Sequence, residues 1–264
     1  MPRSLNRTLL TGAELALAAL PRRAPDAALW RDARIVAHRG DTRGGRVPEN
    51  TLAAFDPLPD SGVWGMEFDV RWTADLEPVL LHDPDLARVF GTRLRLAELS
   101  FAELRRRWPR VPHLDEVVER YARRLHLMVE LKADAHGDLD RQRRRLAACL
   151  DGLEPGTDYH VLSLDTDLFR YVPDIPRHGW LPVARFDVAA LSDFALRSGC
   201  AGVAGPAPLL RWRHLARHRE AGQAIGVGFP FTRGLLEREL LRGVDWVFSD
   251  YALRLAHWRD QACS

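Results

Sequence analysis

Four short stretches carry the residues whose types and spacing could do chemistry: "AHRG" (37–40), "MEFDV" (66–70), "LLHD" (80–83) and "VELK" (129–132). Glu67, Asp69 and Glu130 are oxygen donors of the kind hard cations prefer, so together they imply one divalent metal ion, Mg2+ or Ca2+. Taken singly, each is better explained as a strand-end carboxylate paired with a nearby arginine. Convergence of all three requires a cation between them. Imidazole in general titrates near neutrality, so His38 and His82 could form an acid–base pair, although a lone histidine in either place is more often packed or capping. Arg39 and Lys132 beside them suggest an anionic substrate, phosphate above all, since Arg offers oxygens a two-pronged fork and Lys a compact point charge. Metal, histidines and cations together point to phosphodiester cleavage.

Lys132 stands out for another reason. Lys and Arg number 38 in total, and Lys132 is the one lysine. Ordinary solvated charges accept either residue, so a chain that otherwise uses only arginine has a reason to keep an ammonium here, or kept it by chance.

These residues need elements to hold them. Apolar, β-rich runs recur at 34–40, 65–70, 78–83, 127–132, 159–164, 178–184, 201–205, 224–229 and 244–250, with helix-length segments between most of them. Ser100 with Glu103 predicts a capped helix start, and "LDEVVERYARR" and "GLLERELLRG" have helical spacing. Alternating strand and helix predicts a parallel sheet covered by helices. The segment between Val70 and Pro78 is too short for a parallel crossover, so "EFDVRWTADLEPVLLHD" reads as a hairpin turning near Ala74-Asp75. It returns His82 roughly opposite Glu67 and Asp69. Eight parallel strands remain, and the fold class is α/β: a (β/α)8 TIM-type barrel with a β-hairpin after strand 2 carrying His82. In such barrels chemistry sits at the C-terminal strand ends, where these polar residues fall. Alternation puts Glu67 with Asp69, and Glu130 with Lys132, on shared faces.

Composition bounds the rest. Hydrophobic residues make up 46% and charged residues 28%, as in globular proteins, and a net charge of +2 disfavours nucleic acid as a partner. Cys149, Cys200 and Cys263 are odd in number and widely spaced, so neither a disulfide framework nor a zinc site is expected, and a cytoplasmic location fits. Residues 1–30 read as an N-terminal helical extension packed on the barrel, with peripheral membrane contact as an alternative, and residues 31–264 as the barrel domain. Glu14 interrupts the apolar run that a signal peptide would need. Stable membrane insertion is not expected, and nothing in the sequence sets an oligomeric state. Residues 84 to 126 are either a helix-plus-loop surface or a cap over the site. Phe229, Phe231, Trp180 and Trp64 could line the apolar part of a pocket, although strand aromatics are more often core.

The ordered set "AHRG", "PENTLAAF", "GMEFDVRWTAD", "PVLLHDPDLARVFG", "LDEVVE" and "VELK" resembles the glycerophosphodiester phosphodiesterase family. Weaker echoes continue through "VLSL" and "GVDWVFSD". The resemblance implies a phospholipase C-like (β/α)8 barrel, with Glu67, Asp69 and Glu130 as metal ligands. It likewise implies His38 and His82 as general acid–base pair, with Arg39 and Lys132 on the phosphate. The implied reaction is hydrolysis of a small-molecule phosphodiester to sn-glycerol 3-phosphate and an alcohol. Lysophospholipase D activity and a cyclic-phosphate-forming, phospholipase D-like route are variants. A non-catalytic phosphate-binding barrel, and a barrel enzyme using Lys132 as a base beside Mg2+, are readings of other kinds. The sequence departs from the family pattern in three places. "GVGFPFT" (226–232) stands where Trp-Thr-x-Asn is usual, Ser163-Leu164 where Ser-Phe is, and Leu76 where a hairpin-turn Gly is.

Overall fold

The computed structural model describes residues 12, 16–18, 20–134 and 137–263. Among the described residues nine strands form one sheet: β1 Arg34–His38, β2 Gly65–Trp72, β3 Pro78–Leu80, β4 His126–Leu131, β5 Tyr159–Ser163, β6 Trp180–Pro182, β7 Gly202–Pro206, β8 Ala224–Gly228 and β9 Trp246–Ser249. Apart from β3, all are parallel, in the order β6-β5-β4-β2-β1-β9-β8-β7. A bridge between Val183 and Ala204 joins the two ends of that order, β6 and β7. The result is a nearly closed eight-stranded barrel, with helices on its outside. These strands are buried on both faces, which is why they read as continuous apolar runs rather than alternating ones.

β3 is the expected return strand. Val70 faces Leu80 and Arg71 faces Val79, antiparallel. The ladder continues with the Leu81 amide donating to the Asp69 carbonyl at 3.0 Å. His82 therefore falls opposite position 68, between Glu67 and Asp69. Leu76, at the turn, has φ of 60°, the left-handed conformation that a glycine adopts without strain.

Register between β2 and β4 builds the barrel interior in layers. Gly65 faces His126, Glu67 faces Met128 and Asp69 faces Glu130. Gly65 is required there, because a Cβ would lie 2.7 Å from the His126 carbonyl oxygen. The lowest layer holds His126, His160, Trp64 and Trp246 in mutual ring contact. Above it Val36, Met128, Leu162, Leu181, Ala204 and Phe248 fill the centre. The carboxylates of Glu67, Asp69 and Glu130, with Lys132, lie above these apolar side chains.

A larger apolar layer lies between strands and helices, and Trp180 belongs to it, stacked on Phe169 at 4.9 Å. A third cluster, including Val79, Leu81, Leu86, Leu96 and Leu104, underlies residues 84–111 and anchors them to the hairpin. That segment has a small core of its own, so it is more than a surface loop. Ser100 caps its helix, Phe101–Arg107, by accepting from the Glu103 amide.

The helix expected within residues 1–30 lies largely outside the described residues. From Leu20 onward, Arg22 pairs with Glu237, and the helix Ala27–Arg31 buries Trp30 in the outer core. Among the described residues no helix is long and apolar enough to cross a membrane.

Candidate active site

β2 and β4 carry the three carboxylates at the C-terminal end of the barrel interior. Glu67, Asp69 and Glu130 are 2%, 0% and 6% exposed, and one oxygen of each lies within 4.8 Å of the others. The charge around them is unevenly distributed. Lys132, which follows β4, pairs with Asp69 Oδ1 at 2.6 Å and also contacts Glu130 Oε1. Arg39 Nε lies 3.0 Å from Asp69 Oδ2. Asn50 completes the setting of Asp69: its Nδ2 donates to Asp69 Oδ2 at 2.7 Å, and its Oδ1 accepts from the Asp69 amide at 3.1 Å.

Glu67 has no such partners. Both its carboxyl oxygens are buried without a hydrogen bond. Burial, reinforced by Asp69 and Glu130, pushes its pKa well above the usual carboxylate range. Glu130 is pushed up by burial and by Asp69, with Lys132 only partly opposing. Burial alone would raise Asp69 too, but Lys132 and Arg39 outweigh it and hold that carboxyl below its ordinary value. An unpartnered buried carboxylate is costly. A further cation supplied from solution removes that cost for Glu67, and an all-oxygen donor set suits a hard divalent ion. The residues fit such a metal.

Each histidine is held through its Nδ1. His38, at the end of β1, lies 2.6 Å from Asp250 Oδ1, just past β9. Its Nε2 is 3.8 Å from Glu67 Oε2, so the ring spans from the barrel rim to the carboxylates. His82 Nδ1 lies 2.7 Å from Asp83 Oδ1, and its backbone carbonyl accepts from Arg71 Nε at 2.8 Å. Burial, with Arg39 and Lys132 nearby, lowers the His82 pKa despite Asp69 and Asp83.

The loop after β1 turns through left-handed Arg39, Gly40 and Asn50, at φ of 58°, 86° and 55°. Gly40 has no alternative, since a Cβ would meet Ala54 at 2.8 Å. A chain of ion pairs then links the two histidine-bearing loops. Arg39 pairs with Glu49 at 3.1 Å, Glu49 with Arg88 at 2.7 Å, and Arg88 with Asp83 at 2.6 Å.

All seven residues singled out from the sequence, His38, Arg39, Glu67, Asp69, His82, Glu130 and Lys132, lie at this end of the barrel. Of the pocket candidates, Phe229 packs its ring 4.5 Å from His38. Phe231 is half-buried in the same loop, its carbonyl accepting from Arg254. Trp180 and Trp64 are placed elsewhere. Trp180 starts β6 and faces the outer helices, and Trp64 sits at the opposite end of the barrel interior. Alternation explains both, since position along a strand decides depth and parity decides face. Asn50, Asp250, Asp83, Arg71 and the Glu49–Arg88 pair were not identified from sequence. The "PEN" and "HD" contexts were visible, but their partners are set only by the folded loops.

Residues 38–144 match the model of the Glycerophosphoryl diester phosphodiesterase family. That stretch, about two fifths of the chain, carries the resemblance to the family. Glycerophosphodiester phosphodiesterase 1 of Bos taurus is 40% identical over 78 residues, 30% of this chain and 23% of its own length. The glycerophosphodiester phosphodiesterase of Bacillus altitudinis is 31% identical over 110 residues, 38% of this chain and 44% of its own. The matched stretch thus spans less than half of either relative. The fold is shared more widely. The Thermotoga maritima glycerophosphodiester phosphodiesterase superposes with a TM-score of 0.70 at 21% identity, over 86% of this chain and 98% of that one. A phosphodiesterase of Oleispira antarctica, solved in complex with the product sn-glycerol-3-phosphate, gives 0.70 at 23% identity over 86% and 96%. The matched stretch holds the three carboxylates and both histidines, and the altered "GVGFPFT" segment lies outside it.

Proposed function

We propose that this protein hydrolyses glycerophosphodiesters to sn-glycerol 3-phosphate and an alcohol, with Glu67, Asp69 and Glu130 holding one Mg2+ or Ca2+. The observation that carries the reading is Glu67, a buried carboxylate with no partner of its own, between two others and beside His38. The bound cation would neutralise charge on the phosphoryl oxygens as the diester is attacked.

The protein's own groups do the rest. Arg39 and Lys132 receive the phosphoryl oxygens, the first through its fork and the second as a point charge. His82, with its lowered pKa, suits the role of proton acceptor from the attacking water. His38 then donates a proton to the oxygen of the departing alcohol, and Asp250 on its Nδ1 steadies the ring and the charge it carries. Asp83 does the same for His82. Phe229, against His38, borders the space where the alcohol leaves. The relative from Oleispira antarctica holds the same product, which supports this substrate class.

Phosphorus NMR of a reaction with glycerophosphocholine and added Mg2+ or Ca2+ tests the reading. A glycerol 3-phosphate signal growing from the first time points supports hydrolysis. A cyclic phosphate as first product would replace hydrolysis by internal attack of a substrate hydroxyl. Metal binding without turnover of any glycerophosphodiester or lysophospholipid would favour a binding protein.

A further inference from the structure

Large exposed apolar side chains are unevenly distributed. Among the described residues they are Leu20, Leu139, Phe186, Trp212, Phe229 and Tyr251. Single exposed hydrophobics are ordinary on any protein surface. Here, however, five of the six lie on segments that follow strands, at the end of the barrel where the site opens. Four of them form a series: Phe186 follows β6, Trp212 follows β7, Phe229 follows β8 and Tyr251 follows β9. These strands are consecutive neighbours in the barrel. One arc of the rim therefore presents one aromatic per strand, between 45% and 61% exposed.

Exposed arginines share the arc. Arg185 precedes Phe186, Arg211 and Arg213 flank Trp212, and Arg254 lies over the Tyr251 ring at 4.3 Å. Of the carboxylates close by, Asp250 pairs with His38, and Asp187, which accepts from the Arg185 amide, stands against four arginines. Aromatic rings with a polar edge and arginines with long apolar stems are the residues that settle at the depth of lipid headgroups. Their positive charge adds attraction to an anionic surface.

We infer that this rim is a docking face for an anionic lipid bilayer, which would hold the mouth of the barrel against the membrane surface. The binding is peripheral, since the apolar contribution comes from loop side chains rather than from an inserted helix. It does not depend on catalysis.

Sedimentation with vesicles tests it, using phosphatidylcholine alone and phosphatidylcholine with about one part in three of phosphatidylglycerol. The protein should pellet with the anionic vesicles, and Phe186→Ser/Trp212→Ser should weaken that binding at least ~10-fold, two buried aromatics being lost. Both side chains are exposed, and an unchanged melting transition would show that the fold is kept. Bromine-labelled lipid in the same vesicles should quench tryptophan emission of the unaltered protein, and Trp212→Phe should lose that quenching. No binding to anionic vesicles, or binding unaffected by Phe186→Ser/Trp212→Ser, would overturn the inference. So would quenching that Trp212→Phe leaves intact. None of these readouts uses turnover, so their failure is separate from failure of the proposed reaction.

Discussion

His38 Nδ1 lies 2.6 Å from Asp250 Oδ1, so the first and last strands of the barrel meet at one imidazole. Closure of the barrel is what makes this pair, because β1 and β9 are 212 residues apart in the chain and adjacent in the sheet. The pairing leaves Nε2 as the nitrogen that faces Glu67. Asp250→Asn should then lower kcat by roughly 10- to 100-fold while leaving KM within a few-fold, because an amide keeps the shape but not the charge. Steady-state kinetics checks this. An unchanged kcat would remove Asp250 from the account.

Lys132 answers the question raised by its rarity. Its ammonium fits between Asp69 and Glu130, in a space bounded by two buried carboxylates. Burial would lower its pKa, but Asp69 and Glu130 outweigh this and raise it, so it stays charged. A planar guanidinium cannot take that position without displacing a carboxylate. Lys132→Arg should reduce kcat/KM by about 100-fold or more, roughly 3 kcal/mol of lost transition-state stabilisation. Kinetics on the variant near wild-type would mean that the single lysine is an accident of composition.

Leu76 offers a test of the fold alone. It occupies a left-handed turn position at φ of 60° and is only half-buried. Relief of that strain is worth about 1 kcal/mol, partly offset by the entropy that glycine loses on folding. Leu76→Gly should therefore leave stability unchanged or raise it by up to ~1 kcal/mol, read as an equal or higher urea midpoint. A drop of more than about 1 kcal/mol would show that leucine packing outweighs backbone strain at this turn.

The lowest barrel layer predicts a pH dependence. His126 Nε2 and His160 Nδ1 are 2.7 Å apart, and His126 Nδ1 lies 3.0 Å from the Thr157 carbonyl. The consistent arrangement is a neutral pair in which His160 donates to His126 and His126 to Thr157. Burial lowers His126 to about 4, and burial together with His126 lowers His160 to about 3. The unfolded chain binds these protons first, so stability is complete above about pH 6.5 and falls as pH drops toward the folded values. Each histidine contributes up to ~1.4 kcal/mol per pH unit in that window. Glu67 and Glu130, with raised pKa values, act in the opposite sense. The comparison is therefore made between unaltered protein and His160→Gln by urea unfolding at several pH values. The variant should lose stability less steeply below pH 6.5, and parallel curves would contradict the neutral pair.

Strand positions and the hairpin were legible because burial on both faces leaves continuous apolar runs, and because seven residues cannot make a parallel crossover. The carboxylates and histidines were legible because they terminate those runs. Asn50 and Asp250 were not, since what brings them to Asp69 and His38 is a left-handed loop in one case and barrel closure in the other. The aromatic rim escaped the same way: Phe186 and Tyr251 are separated in sequence, and only the sheet order places them on one arc. Trp180 misled because an aromatic on a strand carries no signal of which face it occupies.

The most direct test of the central claim is release of glycerol 3-phosphate from glycerophosphocholine by the unaltered protein and by His82→Ala, each with added Mg2+ or Ca2+ and with chelator. Turnover should be abolished by the chelator and should fall at least ~100-fold in the variant. Turnover that survives both the chelator and His82→Ala would contradict that claim.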